Sequence, residues 1–116
     1  MPRTCSRNPR SLLTPAALHI LLTLADQNCH GYAIRGAIEE RTRGRLDLGP
    51  GTLYEALHRM VESKWIRVVE GGDGRKKVYT LTTEGRGELD IELRRLDEIV
   101  AFARDNALFP DTRTVR

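Results

Sequence analysis

Apolar positions recur along this chain at helical spacing, then briefly at strand spacing, then at helical spacing again. In "LLTPAALHILLTLAD", residues 12–26, Thr14 suits an N-cap and Pro15 the first helical position, and the apolar residues that follow cover more than one face. This predicts a first helix over 14–26, buried on two sides. After a turn at "QNC", the segment "HGYAIRGAIEERT" places Ile34, Ala37, Ile38 and Arg41 at helical spacing and predicts a second helix over about 30–42. The loop "RGRLDLG" leads to "GPGTLYEALHRMV", where Leu53, Leu57, Met60 and Val61 share one face. Thr52, Glu55, His58, Arg59 and Glu62 point the other way, so one side of this third helix packs and the other is free.

The Pro-Gly pair ahead of that helix admits two starts. Thr52 and Glu55 fit a capping box, which would leave Pro50 and Gly51 in the loop. Alternatively Gly49 is the cap and Pro50 the first helical residue, and this start is preferred because proline is preorganised there and its missing N–H is no loss. It leaves Gly51 without a side chain at a positive helix end, where a phosphate could approach the backbone N–H groups.

Past "KW" the period falls to two. "IRVVE" and "KKVYTLT", joined by the Gly-Asp cluster "GGDGR", predict a two-stranded ribbon over about 65–70 and 76–81. Thr82 then caps a long last helix in which Leu89, Leu93, Leu96, Val100, Ala103 and Ala107 recur at intervals of 4, 3, 4, 3 and 4, a heptad seam. Over residues 82–107 that helix extends roughly 39 Å, more than the small body it leaves can cover. A second copy of the chain is the simplest source of the missing apolar partner, which predicts a two-fold homodimer.

Composition narrows the classes. A chain of 116 residues is one domain, too small for a core plus a large internal cavity. With 40% hydrophobic and 30% charged residues, no apolar run long enough to span a membrane and no secretory signal, it is expected in the cytoplasm. Cys5 and Cys29 form no CxxC pair and are expected as free thiols. The net charge of +3 is uneven: residues 1–13 hold three arginines and no acid, and residues 64–77 hold five basic residues against Glu70 and Asp73. Residues 82–109 hold seven acids against four arginines. Such a molecule approaches a polyanion with one face.

Three helices followed by a hairpin is the order of a winged helix-turn-helix, in which the third helix enters the major groove and the hairpin lies along the backbone. The expected fold is therefore mainly α with a small β-hairpin and a long C-terminal dimerisation helix. Its expected organisation is a disordered basic tail at 1–11, the DNA-binding domain at 12–81, the dimerisation helix at 82–109 and a flexible tail at 110–116. The chain also resembles the PadR-type transcriptional regulators through "HGYAI", "GPGTLYEALHRMVESKWI" and "VYTLTTEGR", in order and spacing over about residues 12–105. It departs from them at Gly49, where Ser or Thr is more common. The resemblance implies a homodimeric DNA-binding regulator, most often a repressor, of the short subclass with one C-terminal helix. In some relatives a small hydrophobic or aromatic effector binds between the dimerising helices and releases the DNA.

Candidate roles follow for single residues. Pro50 and Gly51 form the docking point, and Thr52, Glu55, His58 and Arg59 are base readers or phosphate contacts, with an Arg59–Glu55 pair as the plainer role. Tyr54, like the matching family tyrosine, is expected to place its hydroxyl on a phosphate, the alternative being a core tyrosine. Arg75, Lys76 and Lys77 are the wing cations. Leu89, Leu93, Leu96, Val100 and Ala103 form the dimer seam, and Trp65 is a core plug under the wing. His30 orders the turn before helix two, and Gly31 permits close helix contact. Cys29 beside His30 raises a metal-responsive alternative, though two adjacent residues make no site without Cys5 or His19. Ser6, Ser11 and Ser63 lack any nucleophile context, so no catalytic residue and no cofactor is expected. A second alternative is a protein-interaction module that uses the same wing and helix on a protein partner.

Overall fold

Thr14 caps the first helix, α1 (Pro15–Asp26), accepting a hydrogen bond from the Ala17 amide at 3.0 Å. Ile20, Leu21 and Leu24 place this helix at the centre of the core, 0–3% exposed. The computed structural model describes residues 13–70 and 77–108. The two expected tails, Cys5, Arg75 and Lys76 lie outside the described residues.

Cys29–His30 forms a two-residue strand, β1, ahead of α2 (Gly31–Thr42). The ribbon consists of β2 (Ile66–Glu70) and β3 (Val78–Leu81), antiparallel, with the register slipping between Val68 and Glu70. β1 pairs antiparallel with β3, Cys29 opposite Tyr79 and His30 opposite Val78, so the sheet has three strands in the order β1-β3-β2. The expected ribbon is present and gains a third strand, and the second helix begins as expected, with His30 as its N-cap. Two residues are too few to display a period of two, so β1 exists through its partner rather than through its own pattern.

The third helix, α3 (Pro50–Glu62), has Gly49 as N-cap with no side-chain cap bond, and Pro50 is its first residue. The capping-box start is thereby excluded. Leu53, Ala56, Leu57 and Met60 are its buried face. α3 closes with Lys64 in the left-handed region at φ 66°, and the Trp65 amide reaches back to the Met60 carbonyl at 3.0 Å.

The last helix, α4 (Thr83–Asp105), has Thr82 as its cap, accepting from the Gly85 amide at 3.0 Å. Its buried residues are Gly85, Glu88, Leu89 and Glu92. Two parts of the expected seam change. Leu89, 2% exposed, belongs to the chain's own core, because α4 lies against α1 over its first turns. Ala107 falls beyond the helix end, at φ 58°, with the Leu108 amide closing on the Ala103 carbonyl at 2.7 Å. No helix among the described residues is long and apolar enough to cross a membrane.

Candidate nucleic-acid interface

Burial divides α3 as its sequence pattern requires. Thr52, Glu55, His58, Arg59 and Glu62 are exposed, while Leu53, Leu57 and Met60 on the opposite side anchor the helix to the core. One ion pair and one histidine–carboxylate contact run along the exposed face. Arg59 Nη1 stands 3.5 Å from Glu55 Oε2, and His58 Nε2 stands 3.4 Å from Glu62 Oε2, both one helical turn apart and both wet. Exposed pairs of this kind contribute about 0–1 kcal/mol, so a stronger acceptor can draw Arg59 away at little cost. The Arg59–Glu55 pair is therefore the resting arrangement of a candidate reader.

At the start of α3 the helix end is electrically bare. Gly49 offers no capping oxygen, the first turn carries no acid, and Pro50, Gly51 and Thr52 are exposed. An ideal Cβ on Gly51 would meet nothing within 4 Å, so the backbone there is open to approach. Unpaired N–H groups with a positive helix end attract anions.

Tyr54 sits at the join of α2 and α3. A Cβ on Gly31 would stand 2.9 Å from its ring carbon Cε1 and 3.2 Å from its hydroxyl, which is why "HGY" carries glycine at the helix start. The ring packs against the core, which is the alternative weighed from sequence, and the hydroxyl is buried without a partner among the described residues. Nearby, burial and the neighbouring Tyr54 raise the phenol of Tyr79 above its ordinary value.

Between α3 and the wing runs a cleft of about 250 Å³ lined by Tyr54, His58, Val61, Val68, Lys77 and Tyr79. Of the three wing cations, Lys77 is described, and it stands across this cleft from His58. Its carbonyl accepts from the Gly31 amide at 3.2 Å, which ties the wing base to the start of α2. Sequence reasoning overlooked Tyr79 and Val68 as walls of the cleft, because a strand position announces its face only when its partner is known.

Cys29 and His30 are neighbours in β1, so their side chains leave the strand on opposite faces. Burial raises the Cys29 thiol above its ordinary value, which lowers its thiolate fraction. His30 stacks on the exposed ring of Tyr32, centroids 5.4 Å apart. Among the described residues no group of three or more His, Cys, Asp or Glu is placed to hold a metal. Trp65 is half-buried against the core, as expected of a plug.

Helix-turn-helix, bare helix end and basic hairpin define a winged helix-turn-helix protein. The transcriptional regulator PadR-like family matches residues 20–91, and the chain belongs to that family. A transcriptional regulator of Mycobacterium tuberculosis is 39% identical over 85 residues, covering 71% of this chain and 76% of that protein. An uncharacterized 37.1 kDa protein in a transposon of Streptomyces fradiae is 38% identical over 96 residues; the match covers 83% of this chain and 27% of the longer protein. Among solved structures, a PadR family transcription regulator from Clostridium difficile matches with a TM-score of 0.64 at 30% identity, over 81% of this chain and 99% of that one. Bacillus subtilis PadR, solved in complex with operator DNA, shares the fold at a TM-score of 0.61 and 24% identity, over 72% of this chain and 48% of that one.

Proposed function

We propose that this chain is a sequence-specific DNA-binding transcriptional regulator that works as a homodimer. α3 enters the major groove and the β2–β3 wing lies along the backbone. The observation that carries this reading is the exposed face of α3, continuous from the uncapped helix start at Pro50 and Gly51 through Thr52, Glu55, His58 and Arg59 to Lys77 across the cleft. Arg59 reads a base, leaving Glu55 when a guanine edge offers two acceptors. Lys77, with Arg75 and Lys76 beyond it, holds phosphates, and a phosphate at the cleft reaches the covered Tyr54 hydroxyl through a bridging water. The operator DNA bound by the Bacillus subtilis relative supports the same class of partner.

Two copies joined through α4 set two α3 helices about one turn of DNA apart, roughly 34 Å, so the operator is near-palindromic. Occupancy of such a site blocks polymerase and makes the protein a repressor. The apolar positions left exposed on α4, Leu93, Ile99 and Phe102, give a small hydrophobic effector a place between copies from which to release the DNA. A protein in this role works in the cytoplasm.

The test is anisotropy or gel-shift titration against the protein's own promoter over a salt series. Lys76→Ala with Lys77→Ala is expected to weaken operator and unrelated DNA alike and to reduce the log–log salt slope by roughly 3 to 4 for a dimer losing four phosphate contacts. An unchanged slope would remove the wing from the interface. Arg59→Ala is expected to relax base preference at one position per half-site, at about 1–3 kcal/mol each. If the preference profile of that variant matches wild type, Arg59 is no reader. Retention of no promoter fragment by the wild-type protein would favour the protein-interaction reading.

A further inference from the structure

α1 and α4 each begin on a threonine whose hydroxyl accepts from the helix, whereas α2 and α3, entered from His30 and Gly49, have no such bond. The chain leading into α3 is held by a side chain from another helix. Arg35, on α2, donates from Nε to the Leu48 carbonyl at 2.5 Å and from Nη2 to Asp47 Oδ1 at 3.2 Å. The Leu48 carbonyl lies one residue before the cap and is outside the helical ladder, whose first acceptor is the Gly49 carbonyl, bonded to the Leu53 amide at 2.9 Å. The other end of the connection is already fixed: Arg43 and Gly44 take positive φ, and the Leu46 amide donates to Thr42 Oγ1 at 3.1 Å. Leu48 is buried at 7% exposure, so its backbone can be held in one place.

The second bond matters for charge. Asp47 is exposed two residues ahead of the bare helix end, where its carboxylate would oppose an approaching phosphate. Arg35 neutralises it on the spot.

We propose that Arg35 is a positioning residue for DNA recognition: by tethering Leu48 and pairing with Asp47 it fixes the chain that leads into α3, so that the helix is presented in one orientation with its first N–H groups open to a phosphate. The proposal rests on the DNA-binding reading above, and it makes a separate claim about the unliganded chain. A guanidinium donates and cannot cap, so the tether leaves the first N–H groups of α3 unpaired. A serine at 49 would restore the ordinary cap, because Gly49 has φ −64° and an added Cβ meets nothing within 4 Å.

The experiment compares wild type, Arg35→Ala, Arg35→Ala with Gly49→Ser, and Arg35→Ala with Asp47→Asn in the full chain, by amide hydrogen exchange and by the ratio of operator to unrelated-DNA affinity. Loss of the tether is expected to speed exchange at Leu53, whose amide closes the first turn on the Gly49 carbonyl, and to lower the affinity ratio, each by about tenfold. Gly49→Ser in the Arg35→Ala background is expected to restore both. Asp47→Asn in that background is expected to restore unrelated-DNA affinity and leave the ratio low. Unchanged exchange at Leu53 in Arg35→Ala overturns the tether. Full recovery of the ratio by Asp47→Asn overturns positioning and leaves Arg35 as a charge neutraliser only. Should Arg35→Ala fail to fold, Arg35→Lys, which keeps the charge and loses the paired donors to Leu48 and Asp47, is expected to speed Leu53 exchange and lower the ratio by about threefold; wild-type values for both overturn the proposal. If wild-type protein shows no operator preference, the DNA reading falls while the exchange result still judges the tether.

Discussion

Gly85→Ala is expected to lower the thermal midpoint by roughly 10–20 °C, corresponding to about 3 kcal/mol in a domain of this size. The Trp65 carbonyl, at the join of α3 and β2, is drawn onto the start of α4 from two sides. It accepts from the Thr82 amide at 3.0 Å and lies 2.8 Å from the Thr82 hydroxyl, which also lies 2.6 Å from the Lys64 carbonyl. Those bonds bring the backbone so close that a Cβ on Gly85 would stand 2.1 Å from the Trp65 oxygen and 2.8 Å from Leu81 Cδ1. Because the obstacle is backbone, relief requires α4 to tilt and the Thr82 bonds to stretch. Gly87→Ala is the matched control: it changes the same helix two residues on, where nothing lies within 4 Å. There the helix propensity of alanine is expected to raise stability by about 1 kcal/mol. Equal midpoints for the two variants would refute the close approach. The functional reach of this contact is long, since α4 is rooted at Thr82, and in the proposed dimer its angle would set how far apart two copies present their α3 helices.

The elements most legible in the sequence were those whose signals are local. Thr14–Pro15 and Gly49–Pro50 marked helix starts because proline at the first position has one backbone meaning, and Thr82 marked a cap for the same kind of reason. The exposed face of α3 was legible because period 3.6 separates Leu53, Leu57 and Met60 from Thr52, His58 and Arg59 without reference to anything else. What depends on a partner far along the chain was not legible. β1 is a strand through its bonds to β3, some fifty residues on. The bond from Arg35 to Leu48 crosses from one helix to the connection ahead of the next, and no spacing rule ties those two positions. Leu89 and Glu92 show the same limit within one helix. A heptad count cannot tell which turns of α4 meet the chain's own α1, and it passes over Glu92, 2% exposed and held by Arg95 at 2.6 Å.

Leu93→Asp is expected to convert the proposed dimer to a monomer, halving the mass measured by sedimentation, while the winged helix stays folded. None of the buried residues of α4 lies beyond Glu92, yet the helix continues to Asp105 with Leu93 at 38%, Ile99 at 51% and Phe102 at 62% exposure, and Leu96 and Val100 half-buried. Leu93, Leu96, Val100 and Ala103 form the part of the proposed seam that the chain itself does not bury, about three turns long. In the single chain an aspartate at 93 stays wet and costs little. In a two-fold dimer it is buried twice, at several kcal/mol per carboxylate, enough to weaken association by more than about 1000-fold. Leu96→Asp, from a more covered position, should separate the copies as well. Loss of the dimer removes the simultaneous grip on two half-sites, so operator affinity is expected to fall to that of one α3 and one wing while affinity for unrelated DNA changes much less. A dimeric mass retained by both aspartate variants would place the interface elsewhere, and with it the source of the half-site spacing.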